Sequence, residues 1–141
     1  MNRNPVLMSE NSPQIHKVIL CLGSNMPEAA TAVELAIRWL ETILTDCRTT
    51  GPFATEPEGS DIAGRPYFNA LVAGATTMDA SQLISAAKEY ERAHGRLPEH
   101  RSTGNVAIDI DLVIFDNVIV DDVNYRSAYF RKGMELLGKS R

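Results

Sequence analysis

The sequence predicts an antiparallel α+β sandwich of the split βαβ kind. The elements that it indicates follow the order β-α-β-β-α-β-β, so the strands are grouped around two helices and do not alternate strictly with them. No internal repeat is present. A chain of 141 residues with 44% hydrophobic content is long enough for one domain with a real core and too short for two. We therefore expect a single domain at residues 17–141, preceded by a flexible extension at residues 1–16.

The first two elements are a buried strand and an amphipathic helix. Residues 17–22 form a nearly continuous apolar run that ends at Gly23, as expected for a central strand. Ser24 or Asn25 can cap the helix that follows, and Pro27 suits its first turn. The apolar stripe of this helix consists of Val33, Ile37, Leu40 and Leu44.

A long loop, a strand and a second helix come next. A short extended piece follows Cys47, and residues 51–59 have the Pro and Gly content of a loop. Residues 67–75 then resume strand character. Asp79 can cap the second helix, which is amphipathic and which Gly95 ends.

The remaining predicted elements form a hairpin. Residues 96–105 are polar and typical of a mobile loop, which leads into an apolar strand containing residues 108–112. A turn at residues 116–117 separates this strand from the apolar run at 118–120, which predicts a β-hairpin. Residues 121–141 leave two interpretations open, a helix or a disordered tail.

Composition argues against several classes of protein. The balance of 14 Lys and Arg against 18 Asp and Glu gives a net charge of −4, which disfavours a surface built for nucleic acid. The two cysteines lack the spacing of a metal or redox motif, which favours a reduced, cytoplasmic protein. No apolar run approaches the roughly 18 residues of a membrane span. We expect no nucleic-acid and no membrane partner, and an anionic ligand must then be bound by local groups.

The most informative feature is a pair of acidic residues within an apolar strand. Side chains alternate across a strand, so Asp109 and Asp111 share one face while Ile108, Ile110 and Leu112 take the other. Their separation is about two strand rises, roughly 6 to 7 Å, which lets both carboxylates reach one hard cation. One interpretation is a site for magnesium carrying nucleotide phosphates. The other is the solvated face of an edge strand, although neighbouring like charges repel and Asp is rare in strands.

Several short motifs occur in order between residues 17 and 120. They are Leu-Gly-Ser-Asn at 22–25, Thr55 with Pro57, Tyr-Phe-Asn-Ala at 67–70, Glu91 with Gly95 and Arg96, and Ile-Asp-Ile-Asp-Leu at 108–112. Together they resemble the family of 6-hydroxymethyl-7,8-dihydropterin pyrophosphokinase, a folate-pathway diphosphokinase. The resemblance implies a ferredoxin-like sandwich, with an antiparallel sheet and helices packed on one face. It also implies transfer of the β,γ-diphosphate of ATP to the pterin hydroxymethyl group, with release of AMP.

The resemblance assigns roles to particular residues. Asp109 and Asp111 match the acids that hold two magnesium ions between the ATP phosphates, and with the phosphate-contacting Arg96 they are the expected catalytic residues. Pterin binding is implied for Asn69, Tyr67, Thr55, Pro57 and Gly23. Nucleotide binding is implied for Glu91, Arg96, Arg101 and Leu112. The Asn69 amide offers both a donor and an acceptor, which suits a pyrimidinone edge.

The chain departs from the family just before the aspartate strand. The family's Arg-Trp-x-Pro-Arg-Thr segment aligns with residues 102–107, where both arginines and the tryptophan are missing. Val106 stands at the second arginine, and Arg101 is placed to compensate in part. Two hypotheses follow: a diphosphokinase with full or reduced activity, or a non-catalytic homologue that binds pterin or nucleotide. An RNA-binding module on the same kind of sheet fits the acidic charge poorly.

Overall fold

The computed structural model describes residues 13–55, 66–95 and 106–139. These residues form one antiparallel sheet in the strand order β2-β4-β1-β5-β6, with β3 also paired to β4. In chain order the elements are β1 (His16–Ser24), α1 (Ala29–Ile43), β2 (Thr45–Thr49), β3 (Phe53–Thr55), β4 (Tyr67–Thr76), α2 (Ala80–Ala93), β5 (Asp109–Phe115), β6 (Val118–Ile119), α3 (Asp122–Tyr125) and α4 (Ala128–Lys139). The predicted α+β class is confirmed. No helix in these ranges is long and apolar enough to span a membrane.

The main core lies between the sheet and the two long helices α1 and α2. Alternate residues of the three central strands face these helices: Val18, Leu20 and Leu22 of β1, Ala70 and Val72 of β4, and Ile110 and Leu112 of β5. The helices contribute the apolar stripes predicted from their spacing, including Val33, Ile37, Leu40, Leu83 and Ala87. Leu44 also packs here, but α1 ends one residue before it. The aspartates of β5 therefore belong to the opposite face of the sheet.

That opposite face is partly covered by α4. Phe130 of this helix is fully buried against Cys21, Leu71 and Val113, one from each central strand. Gly133 permits the close approach, because a Cβ there would lie 2.5 Å from Cγ of Leu71. Residues 128–139 are thus helical, and helices pack on both faces of the sheet.

The predicted cap of α1 is wrong. The Ser24 hydroxyl donates to the Val106 carbonyl over 3.0 Å, and the Val106 N–H donates to Asn25 Oδ1 over 2.6 Å. Ser24 and Asn25 are both fully buried. The helix instead begins after Glu28, whose side chain makes no capping bond. Ser24 and Asn25 both bond to Val106, about 80 residues further along the chain, and so they hold the segment before β5 against the end of β1.

Two other local predictions are confirmed, and one is wrong. Asp79 caps α2 in a reciprocal capping box with Gln82. The turn between β5 and β6 has positive φ at both Asp116 and Asn117, as a tight hairpin turn requires. The prediction of a loop is wrong at residues 53–55, which form β3 because they pair with the start of β4.

Candidate active site

A cavity of about 230 Å³ opens on the α4 face of the sheet. Strands β1, β3, β4 and β5 supply its floor and one wall, and α3 and α4 supply the other. Its lining consists of Cys21, Leu22, Gly23, Thr55, Tyr67, Asn69, Asp109, Asp111, Asn124 and Tyr129. Six residues predicted from the sequence as site residues lie in this one cavity.

Four predicted residues form the end of the cavity at β3 and β4. Thr55 pairs with Tyr67 across the strands, and Gly23 of β1 pairs with Asn69. The Thr55 hydroxyl donates to Asn69 Oδ1 over 2.6 Å, and Asn69 Nδ2 donates to the Leu22 carbonyl over 3.2 Å. These two bonds fix the orientation of an amide that is only 6% exposed.

Gly23 is required by its contact with Asn69. A Cβ at position 23 would lie 2.8 Å from Asn69 Nδ2, closer than van der Waals contact allows. The backbone of Gly23 does not have positive φ, so its conformation alone does not demand glycine. The sequence motif Leu-Gly-Ser-Asn is therefore explained by packing: its glycine makes room for Asn69, and the next two residues hold the segment before β5.

Asp111 lies at the other end of the cavity, between two donors. Lys88 Nζ of α2 is 3.4 Å from Asp111 Oδ1, and Asn124 Nδ2 of α3 donates to Asp111 Oδ2 over 3.2 Å. Burial raises the pKa of Asp111; the charge of Lys88 opposes the increase and the charge of Asp109 adds to it. The negative charge of Asp111 is therefore costly to maintain, and a cation stabilises it.

Glu91 lies beneath this pair and outside the cavity lining. Its side chain is 1% exposed. It accepts a hydrogen bond from the Ile110 N–H over 2.7 Å, at the edge of β5 that faces away from β1. Lys88 Nζ is 3.2 Å from the same Glu91 oxygen. Burial raises the pKa of Glu91, while the Ile110 N–H and the charge of Lys88 work in the opposite direction. Glu91 thus anchors both the strand that carries Asp111 and the lysine that contacts it.

A second cavity of about 350 Å³ shares Asp111 with the first. Leu112, predicted as a nucleotide-binding residue, lines this second cavity together with Lys88 and Ile84 of α2 and Val123 of α3. The remaining predicted residues Pro57, Arg96 and Arg101 lie outside the described residues.

Asn124 and Tyr129 also line the cavity, and the sequence motifs did not indicate Asn124. The Tyr129 hydroxyl donates to Asn124 Oδ1, and Asn124 Nδ2 also donates to Asp121 Oδ2 over 2.7 Å. Asp121 caps α3 by accepting the Asn124 N–H. The only sequence signal was this Asp-x-x-Asn spacing, which is typical of a helix start. It does not show that the asparagine also reaches Asp111.

The donor set fits a magnesium ion that arrives with phosphates. Within residues 13–55, 66–95 and 106–139, no group of three or more His, Cys, Asp and Glu side chains is arranged to hold a metal. Magnesium is commonly held by one or two carboxylates, with substrate phosphates and waters completing its shell. Asp109 and Asp111, side by side in one cavity, supply such a pair.

Comparison with known families decides the relationship. The model of the 7,8-dihydro-6-hydroxymethylpterin-pyrophosphokinase (HPPK) family matches residues 19–134. The chain belongs to the HPPK family. A search of the curated proteins found no match for it. HPPK proteins are diphosphokinases of folate biosynthesis, and diphosphokinases are a class of transferase. The matched range includes every described residue that lines the two cavities.

The resemblance described under Sequence analysis implies one departure from the family, at the segment before β5. By that resemblance, Val106 stands at the second arginine of the family's segment. Its backbone is held by Ser24 and Asn25, as described above, so the segment before β5 is anchored without that arginine. The positive charge, however, is absent from this position.

Proposed function

We propose that this protein is a cytoplasmic diphosphokinase that transfers the β,γ-diphosphate of ATP to the hydroxymethyl group of 6-hydroxymethyl-7,8-dihydropterin. The hydroxymethyl oxygen forms a bond to the β-phosphorus, and the bond from that phosphorus to the α,β-bridging oxygen breaks. AMP leaves with the bridging oxygen, and the hydroxyl proton is released. The HPPK family match supports this reaction class.

A single cavity with two chemically different ends supports the proposal most strongly. One end carries a fixed amide and a tyrosine, Asn69 and Tyr67, and the other carries Asp109 and Asp111. A reaction between a heterocycle and a metal-bound polyphosphate needs both kinds of group within one ligand's length. Holding the reactants together in this way removes much of the entropic barrier.

At the heterocycle end, Asn69 is the proposed specificity residue. An amide has two N–H donors and an oxygen with two lone pairs. The bonds to Leu22 and from Thr55 use one donor and one lone pair, and they fix the plane of the group. The second donor and second lone pair match the alternating donor and acceptor edge of a pyrimidinone ring, and Tyr67 supplies an aromatic surface beside it.

At the acidic end, Asp109 and Asp111 are proposed to hold magnesium, with two ions expected when ATP is present. Bound magnesium neutralises phosphate charge and favours in-line transfer. Asp111 is already oriented by Asn124, so its carboxylate needs little reorganisation to bind a cation. We propose that Arg96 and Arg101 contact the phosphates and that Glu91 and Leu112 lie beside the nucleotide.

The decisive experiment measures AMP. Purified protein is incubated with ATP, magnesium and 6-hydroxymethyl-7,8-dihydropterin, and the nucleotides are separated by chromatography. We expect AMP and pterin diphosphate to accumulate in equal amounts, whereas an ordinary kinase or ATPase leaves ADP. Tight pterin binding without AMP would support the non-catalytic homologue instead.

A pair of matched variants tests the acidic residues. Asp111→Asn should lower AMP formation at least about a hundredfold, the effect typical of losing a main electrostatic stabiliser. Asp46→Asn is the control, because Asp46 is exposed and lies on β2, at the other edge of the sheet. Its φ of 53° also suits asparagine. Equal activity of the two variants would exclude the assignment of Asp111.

A further inference from the structure

The site contains a lysine that the sequence motifs do not account for. Lys88 extends from α2 to Asp111 Oδ1, 3.4 Å away, and its side chain is 43% exposed. Among the described residues that line the two cavities, Lys88 is the one lysine or arginine. Any positive charge that the described lining offers to an anionic ligand therefore comes from this side chain.

Lys88 is anchored on one side and open on the other. Glu91, which is fully buried and also accepts the Ile110 N–H, pairs with the lysine Nζ over 3.2 Å. The other contact, to Asp111, is longer and lies where the two cavities meet. A lysine side chain has a flexible four-carbon stem, so its ammonium can leave Asp111 without any movement of the helix.

The same Asp111 oxygen cannot serve lysine and metal equally well. Lys88 partly neutralises a carboxylate whose charge is disfavoured by burial. A divalent cation at Asp111 would place two positive centres against one oxygen, and their repulsion would drive the ammonium away. The displaced ammonium would keep Glu91, 3.2 Å away, as one partner, and the phosphates that accompany the metal would replace Asp111 as the other.

We propose that Lys88 is an exchangeable counter-ion, which pairs with Asp111 when the site is free and with the polyphosphate when the metal–nucleotide is bound. It supplies the positive charge of the described cavity lining. This inference rests on the proposed function, because it needs a metal–nucleotide at Asp111. It makes Lys88 a competitor of free metal and a partner of the nucleotide.

Opposite effects on two affinities distinguish this role from a structural one. Binding of Mn²⁺ alone is measured by electron paramagnetic resonance, and binding of α,β-methylene ATP with magnesium by calorimetry. Lys88→Met keeps the length of the stem and removes the charge. It should tighten Mn²⁺ binding about threefold, since a competing pair of this exposure is weak. It should weaken nucleotide binding about tenfold, the scale of losing one charge-assisted hydrogen bond.

Control variants separate the possible outcomes. Arg38→Met removes one positive charge from an exposed ion pair with Glu34 on α1 and should change neither affinity. Lys88→Arg should restore nucleotide binding to within about threefold of the wild type, since the charge is kept. If Lys88→Met left both affinities unchanged, or lowered both, the counter-ion role would be overturned. If the wild type and Asp111→Asn bound the nucleotide equally, the proposed function itself would fail, whatever Lys88 does.

Discussion

Replacing Gly23 by alanine should distort the heterocycle end of the cavity without straining the backbone. The new Cβ would lie 2.8 Å from Asn69 Nδ2. Such overpacking costs about 1 to 3 kcal/mol. Rotating the amide away instead breaks its bonds to Leu22 and Thr55, at about 1 kcal/mol each. Alanine lowers the conformational entropy of the unfolded chain, which stabilises the folded state by about 0.5 to 1 kcal/mol. The expected net loss is about 1.5 kcal/mol in the free energy of unfolding.

Urea denaturation followed by the fluorescence of the single tryptophan, Trp39, measures this loss. Trp39 stacks on Tyr90 and packs against the main core, so it reports global unfolding. A double-mutant cycle assigns the cause: in an Asn69→Ala background, where the clashing amide is gone, Gly23→Ala should be neutral or stabilising. An equal loss in both backgrounds would refute the proposed contact. Pterin affinity should fall in Gly23→Ala even in conditions where the variant is fully folded.

Two further predictions concern stability. Bonds from His16 and from the Lys17 N–H hold the pKa of Asp116 below its usual value, so the charge stabilises the fold above about pH 4 and this contribution is lost as pH falls through the lowered pKa. Asp116→Asn keeps a residue suited to the positive φ and should be less stable than the wild type at neutral pH. In urea titrations below pH 4 the difference in the free energy of unfolding should shrink. A difference that stayed constant with pH would contradict the role of charge. Gly133→Ala should destabilise the protein by about 1 kcal/mol in thermal melts, because the clash with Leu71 exceeds the gain in helix propensity. Gly138→Ala is the control and should not destabilise it, because a Cβ at position 138 has no atom within 4 Å. A Gly133→Ala variant more stable than the wild type would disprove the close contact.

The parts of the fold predicted correctly are those whose cause is local. Asp79 caps α2 through a residue three positions away, and the turn at Asp116 and Asn117 follows from residues that tolerate positive φ. The alternation along β5 separates the aspartates from the core because strand geometry has a period of two. None of these features depends on knowing which elements meet.

The parts that were missed depend on distant partners. The side chains of Ser24 and Asn25 have the chemistry of helix caps, but their partner Val106 is brought to them by the pairing of β1 with β5. Residues 53–55 are too few to show a strand pattern and gain their structure from β4. Lys88 lies on a solvated helix face in any sequence-based description, and only the packing of α2 beside β5 brings it to Asp111.

The same dependence on distant partners applies to the site residues. The motifs identified one end of the cavity and the acidic pair, because these residues carry the family resemblance. Asn124 carries no such signal, since its contact with Asp111 requires the short helix α3 to fold back beside β5. The roles of Asp109, Asn69 and their neighbours stay predictions that the experiments above address.

The covering of the sheet by α3 and α4 has a consequence for the order in which the protein becomes competent to bind. A nascent chain released only as far as residue 120 already contains Asn69 and both aspartates, yet it lacks the wall that carries Asn124 and Tyr129. Phe130 must then dock on Cys21, Leu71 and Val113, far earlier in the chain. Completion of the cavity is thus a late event in biosynthesis, and premature termination near residue 120 would yield a polypeptide without Asn124 and Tyr129 beside the acidic pair.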